Sequence, residues 1–260
     1  MSTRYRTFVL PLAVLAAACS TGVEANADGA VNLGFAGFNS TSTPASGTAP
    51  QRIELGSDVI VLEKVELVLR EIELKGNDDI CADDRAAADT AGTDDCNEIE
   101  LGPMIVDLPL NGGVEHSITA QVAEGVYDEI KFEVRKPEDD TPADLDFIRA
   151  NPQFEDISIR VTGTWNGEPF TYVSRSGFEQ EVDLSTPLVL GAGNVDLTLS
   201  VDLGRWFANA GATGLVDPRL ALDGLAFESL VESNIHTSFE AFEDEDRDGH
   251  DDHGGSSSDD

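Results

Sequence analysis

The 260-residue sequence predicts an all-β protein, an immunoglobulin-like or transthyretin-like antiparallel β-sandwich with two short helices. Short runs in which apolar and polar residues alternate recur along most of the chain, as in strands that bury one face. Turn sequences separate these runs at intervals of about 8–12 residues. No segment repeats with a period of about 20–50 residues, which disfavours a solenoid or a propeller. Apolar residues make up 40% of the chain, which is enough for a packed core.

The first strand is predicted over residues 30–36, where Val31, Leu33 and Phe35 alternate with smaller residues. The next apolar segment, 59–74, also has the spacing of a helix face. Its content of β-branched residues favours a long strand, with a bulge where the alternation slips at Arg70-Glu71.

Further strands are predicted over 104–110, 118–122, 130–134, 157–161, 170–172 and 195–203. Pro109 suits an edge position, because proline has no N–H to donate to a neighbouring strand. Asn166-Gly167 lies between two alternating runs and predicts a tight hairpin, since both turn positions need a positive φ.

Two helices are predicted. Thr141 and Asp144 have the spacing of a capping box around Pro142, and Asn151-Pro152 ends that helix. Near the carboxyl end, the apolar residues of 229–242 fall on one helical stripe and predict an amphipathic helix packed on the sheets.

Residues 1–18 are predicted to be an export signal. Arg4 and Arg6 precede an apolar run of 11 residues, 8–18, which is too short for the roughly 20 residues of a membrane-spanning helix. The run 15–20, Leu-Ala-Ala-Ala-Cys-Ser, resembles the lipobox of bacterial lipoproteins, which predicts lipidation of Cys19. An ordinary signal-peptidase site is the alternative, and it also cuts before Cys19.

The other two cysteines, Cys81 and Cys96, are predicted to form a disulfide. If Cys19 carries lipid, they are the even pair that remains in an oxidising compartment. A disulfide that closes a loop of about 15 residues stabilises the folded state by roughly 3 kcal/mol in the chain-entropy model. Metal ligation by the two thiolates is disfavoured, because a zinc site needs about four ligands.

The predicted organisation is a lipid-anchor tether over 19–29, a single β-sandwich domain over 30–242 and an acidic flexible tail over 243–260. The chain has 50 Asp and Glu residues against 16 Lys and Arg residues, a formal net charge of -34. This charge argues against nucleic-acid binding and against electrostatic docking on anionic lipid, because both need basic patches.

Five segments form a recognisable series in the order 65–74, 126–132, 163–167, 201–207 and 242–249. Together they resemble a family of uncharacterised bacterial exported lipoproteins that carry a domain of unknown function. The resemblance covers 30–249 and implies a single β-sandwich on a lipid tether, with no catalytic residues. Ser20, after the cysteine, resembles lipoproteins sorted to an outer membrane, which implies that location if the cell has one.

A calcium site is predicted at Asp244, Asp246 and Asp248, which alternate before Gly249. Alternate carboxylates can converge on one hard cation, and glycine permits the sharp turn. Asp252, at the ninth position, suits a ligand that acts through water. The twelfth position is glycine where an EF-hand needs glutamate, so the segment resembles the shorter acidic loops of extracellular calcium repeats. A solvated acidic tail is the alternative.

Other candidate sites have simpler explanations. Trp165 and Trp206-Phe207 suit carbohydrate stacking, but aromatic residues that follow a strand more often belong to the core. His250 and His253 suit a transition metal, although two histidines in a tail are more often incidental. The sequence has no GxSxG or HExxH motif and no phosphate-binding glycine loop.

The sequence therefore predicts a lipid-anchored protein of the cell envelope that acts as a binding or structural module, with the membrane and an unidentified protein or glycan as partners. No catalysis is expected. The alternatives are an exported hydrolase that uses an unrecognised carboxylate pair and a calcium-dependent adhesion module.

Changing Cys19 to Ser removes the sulfur that would carry the lipid. We expect the Cys19→Ser protein to leave the membrane fraction and appear in the soluble fraction when cells are fractionated with and without detergent. Detergent-dependent fractionation that is unchanged from the wild type would contradict the lipid anchor.

Overall fold

The structure of the protein, a computed structural model, describes residues 29–40, 50–76, 98–191 and 193–251. The predicted signal peptide, Cys19, Cys81, Cys96 and Asp252 lie outside the described residues, as does most of the predicted tether. The predictions made for them are therefore not tested by the structure.

The described chain is mostly β, as predicted. The strands are β1 (Gly29–Phe38), β2 (Gln51–Leu55), β3 (Asp58–Gly76), β4 (Glu98–Asp107), β5 (Val114–Val122), β6 (Gly125–Val134), β7 (Ile159–Trp165), β8 (Glu168–Ser174), β9 (Phe178–Leu190), β10 (Asn194–Asp202) and β11 (Phe239–Glu243). The helices are α1 (Pro142–Ala150), α2 (Leu203–Trp206) and α3 (Glu228–His236). Over the residues described, no helix has the length and apolar character needed to cross a membrane.

The strands form one curled sheet in the order β5-β1-β10-β11-β9-β6-β3-β7-β8, and β2 and β4 also pair with β3. Two neighbouring pairs, β1 with β10 and β11 with β9, are parallel. The prediction of a wholly antiparallel arrangement is wrong at these pairs. Parallel neighbours need long connections, so the short turn signals in the sequence could not reveal them.

The segment that was ambiguous between helix and strand is β3, a strand of 19 residues. Its first half pairs with β2 and β7, and its second half pairs with β4 and β6. The register on the second half shifts between Leu69 and Glu71, so the predicted bulge is confirmed. Side chains from almost every strand and from α3 share one hydrophobic core.

The two predicted helices have different outcomes. Helix α1 is confirmed, and the Thr141 side chain caps it by accepting a hydrogen bond from the Asp144 N–H at 3.1 Å. The helix predicted over 229–242 is wrong beyond His236, because β11 begins at Phe239 and pairs with β10. The apolar residues of this stretch fit both patterns, and the backbone hydrogen bonds that β10 offers favour the strand. Helix α2, of four residues, was not predicted.

Gly163 on β7 allows β3 and β7 to approach closely. A Cβ on Gly163 would overlap the carbonyl oxygen of Val61 on β3. We expect Gly163→Ala to lower the free energy of unfolding by about 1–3 kcal/mol, measured by urea denaturation, because backbone atoms must move to admit the methyl group. Gly191→Ala is the control, since its Cβ would meet no atom within 4 Å. Equal effects of the two substitutions would show that the strands tolerate the extra volume.

Candidate functional site

The residues that follow β11 pack onto the outer side of the sheet. We call residues 244–251 the aspartate loop. Its first residue extends the pairing of β11 with β10, because the Asp244 N–H donates to the Asp196 carbonyl oxygen at 3.0 Å. At the other end of the loop, a Cβ on Gly249 would lie 3.3 Å from Cγ2 of Val114, at the start of β5. The described part of the predicted flexible tail is thus held against the sheet at both ends.

Asp244 is fully buried, and its carboxylate organises the loop. It accepts hydrogen bonds from the Thr198 hydroxyl at 2.9 Å and from the N–H groups of Asp248 at 3.0 Å and Gly249 at 3.1 Å. Arg247 and Gly249 have φ angles of 61° and 84°, which let the backbone fold back over this carboxylate. Two of the predicted ligand residues are therefore tied together by the backbone of the loop itself.

The structure brings together the three predicted calcium ligands that it describes. One carboxylate oxygen from each of Asp244, Asp246 and Asp248 lies within 4.8 Å of the others. The Arg247 guanidinium pairs with a carboxylate outside this cluster: it donates to both carboxylate oxygens of Asp196 at 2.9 Å. Within the described ranges, no Lys or Arg side chain forms an ion pair with Asp244. Three converged carboxylates repel one another and favour a hard divalent cation.

A groove of about 1290 Å³ lies beside the aspartate loop. Its floor is the outer side of β11 and β9, and its walls come from the carboxyl end of β1, from β2, from the turn before β5, and from the last residues of the loop. Residues 36–38 of β1 border it, whereas Gly29 lies at the opposite end of that strand. The groove therefore opens at the end of the domain away from the amino terminus.

The charged residues of the groove are mainly acidic. They are Glu54, Glu181, Asp183, Glu240, Asp251 and Arg52. Arg52 forms an ion pair with Glu54. His236 also lines the groove, where its ring packs against that of Phe178 at a tilt of 40°, with centroids 4.2 Å apart. Burial lowers the pKa of His236 below its ordinary value of 6.5, so this ring is mainly neutral at pH 7.

The aromatic candidates for carbohydrate stacking belong to the core. Trp206 and Phe207 are both fully buried. The Trp206 indole N–H donates to the Ser238 hydroxyl at 2.9 Å, and Phe207 meets the ring of Tyr172 edge-on at 5.4 Å. Trp165 packs against the same core and is partly buried. Trp206 and Phe207 therefore present no open face to a sugar.

A smaller cavity of about 120 Å³ contains a pair of glutamates, Glu228 and Glu232, one helical turn apart on α3. Glu232 accepts a hydrogen bond from the Ser174 hydroxyl at 3.4 Å, and burial raises the pKa of the nearby Tyr172. The cavity has room for about four water molecules, at roughly 30 Å³ each. Its volume is below the roughly 300–1,000 Å³ of small-molecule pockets.

The groove is the feature that sequence reasoning missed. Its acidic floor combines Asp183 of β9 with Glu240 of β11, which are remote in sequence. The only sequence signal is the alternation of exposed acids, Glu179, Glu181 and Asp183, along β9. That alternation places acids on one face, but it does not show which strand lies beside them.

No protein-family model, curated protein or solved structure matches the chain. The aspartate loop and the groove are the two features of the described chain that bear on function. Together they define a mostly-β protein with a converged set of aspartates beside a large acidic groove.

Proposed function

We propose that the protein is an exported, lipid-anchored module of the cell envelope that binds a protein partner through the groove and catalyses no reaction. Its membrane contact is the lipid on Cys19, in the outer membrane if the cell has one. The observation that supports this proposal is the position of the groove, at the end of the domain opposite Gly29.

The path of the amino terminus relates the groove to the membrane. A Cβ on Gly29 would lie 2.5 Å from the Gly191 carbonyl oxygen, so the chain leaves the domain close to the end of β9. The nine residues between Cys19 and Gly29 can span at most about 30 Å. The ten residues of β1 carry the chain about 33 Å further, to the groove. In this arrangement the groove faces away from the bilayer.

We also propose that the curled sheet belongs to the β-sandwich class, of the immunoglobulin-like or transthyretin-like type. In support, strands at one end of the sheet pack face to face with strands near its middle. The side chains that meet across this interface are Val31, Leu33, Ile118, Ala120 and Leu197 on one side and Ile72, Leu74 and Ile130 on the other. The two parallel pairs are a departure from an antiparallel sandwich of either type.

Site-specific photocrosslinking in intact cells tests the groove as a partner site. Ser185 is exposed and lines the groove, so a photoreactive amino acid at this position should form light-dependent adducts with another protein. Gln121, which is exposed and pairs with Ala30 at the end of the domain that carries Gly29, is the control position and should form few. No adduct at Ser185, or equal yields at the two positions, would contradict the groove as the binding site.

The aspartate loop supports a second function, calcium-dependent binding as in an adhesion module. The supporting observation is that Asp244 is buried and two further carboxylates lie within reach of the same point. A bound cation would relieve their repulsion. Gly249, His250 and Asp251 of the same loop also line the groove, so calcium would stiffen one wall of the partner site.

Calcium titration followed by backbone NMR tests this second function. We expect saturable shifts over residues 244–251, with a dissociation constant of about 10⁻⁴–10⁻³ M, as for extracellular calcium modules. Magnesium should compete poorly, because it demands tight octahedral geometry. Asp246→Asn should weaken binding by about tenfold, since it removes one ligand charge.

Glu245→Gln is the matched control, because Glu245 is exposed, lies in the same loop and is not one of the clustered carboxylates. It changes the net charge by the same amount and should leave calcium affinity unchanged. Linear shifts, equal effects of the two ions, or equal losses in the two variants would show only a diffuse counterion cloud.

A further inference from the structure

Lysines neutralise the acidic residues on the outer side of β3, β6 and β9. Lys131 Nζ lies within 4 Å of three glutamates: Glu179 at 3.1 Å, Glu73 at 3.6 Å and Glu71 at 3.8 Å. Lys75 forms ion pairs with Glu129, at 3.0 Å, and with Glu181. Its hydrogen bond to Glu181 raises the pKa of Lys75, so the amine remains charged. On this surface, lysine side chains of the sheet itself balance the charges of the glutamates.

This internal neutralisation stops at the groove. Asp183 follows Glu181 on the same side of β9, and in the described part of the chain its carboxylate forms no ion pair or hydrogen bond. Ala241 of β11 pairs in parallel with Leu184. The preceding residues, Glu240 and Asp183, therefore stand next to each other and project to the same side.

The pair formed by Asp183 and Glu240 is the most unbalanced part of the groove floor. Both side chains are exposed and line the groove, and Glu240, like Asp183, has no cationic partner among the described residues. Like charges on adjacent strands repel. An occupant that carries positive charge would remove this repulsion, as Lys75 and Lys131 do on the neighbouring surface.

The size and lining of the groove narrow the choice of occupant. Its volume of about 1290 Å³ exceeds the roughly 300–1,000 Å³ of small-molecule pockets, so a longer ligand fits better. The aromatic residues that line it are three phenylalanines and two histidines, without the tryptophan or tyrosine that suits stacking on a neutral glycan. Anionic polymers are disfavoured by the acidic floor.

We propose that the groove binds a basic, extended segment of a partner protein, whose Lys or Arg side chains lie between Asp183 and Glu240. This inference rests on the proposed function, in which the groove is the partner site, and it specifies the chemistry of the partner. Complementary charge speeds the encounter and fixes the register of the segment, and the interaction weakens as salt screens it.

The test uses the mature full-length chain and a fluorescein-labelled peptide of about ten residues, long enough to span about 33 Å, in which Lys alternates with Thr. Binding is measured by fluorescence anisotropy, and a peptide with Glu in place of Lys should not bind. Asp183→Asn combined with Glu240→Gln should weaken binding of the Lys peptide by about tenfold, because both groups that receive the lysines are lost.

The matched control is Glu124→Gln combined with Asp140→Asn, because both residues are exposed and neither lines the groove. The two double variants change the net charge equally, so the long-range field of the protein is the same in both. We expect the control to change affinity by less than about twofold. Equal losses in the two double variants, or no loss in either, would overturn the proposal.

A second titration separates the peptide from a metal ion. If about 1 mM calcium displaces the Lys peptide from the Asp246→Asn protein, and the groove substitutions abolish this effect, the pair is a cation site and the proposal is overturned. The photocrosslinks separate this inference from the function on which it rests. Adducts at Ser185 together with equal losses in the two double variants would leave the groove as the partner site and reject only the basic segment.

Discussion

The structure depends on one strand that is shared by two groups of neighbours. β3 pairs with four other strands, two along each half, so both halves of the sheet take their register from it. Arg70 lies in the bulge of β3 and pairs with no residue of β4 or β6. The Arg70 guanidinium then holds the buried carboxylate of Asp144 at 2.6 and 3.1 Å, which fixes α1 on the sheet. Burial alone would raise the pKa of Asp144, but hydrogen bonds from Thr141 and Arg70 hold it below its ordinary value.

The sequence predicts those parts of the fold that are determined locally. The bulge in β3, the cap of α1 and the hairpin at Asn166-Gly167 are confirmed, and the two turn residues have φ angles of 49° and 86°. The two parallel pairs and β11 were not predicted, because they depend on which strand lies alongside. Phe239 and Phe242 fit a helical stripe in the sequence, and only the free edge of β10 makes them part of a strand.

The candidate site, like the fold, was predictable only where it depends on local sequence. The spacing of Asp244, Asp246 and Asp248 correctly predicts that they converge, because a short loop closes on itself. The spacing does not show that Asp244 is buried on Thr198, a contact made across the sheet. The pair of Asp183 and Glu240 has no local signal, since it results from a single bridge between β9 and β11.

The position of β1 has a mechanical consequence. β1 lies inside the sheet, with β10 parallel on one side and β5 antiparallel on the other. A force applied at Gly29 along the strand, with the opposite end of the domain held, would shear both ladders lengthwise. All of their hydrogen bonds would then resist together, whereas peeling an edge strand breaks them one after another. The amino-terminal strand is therefore well placed to withstand tension between an anchor and a load.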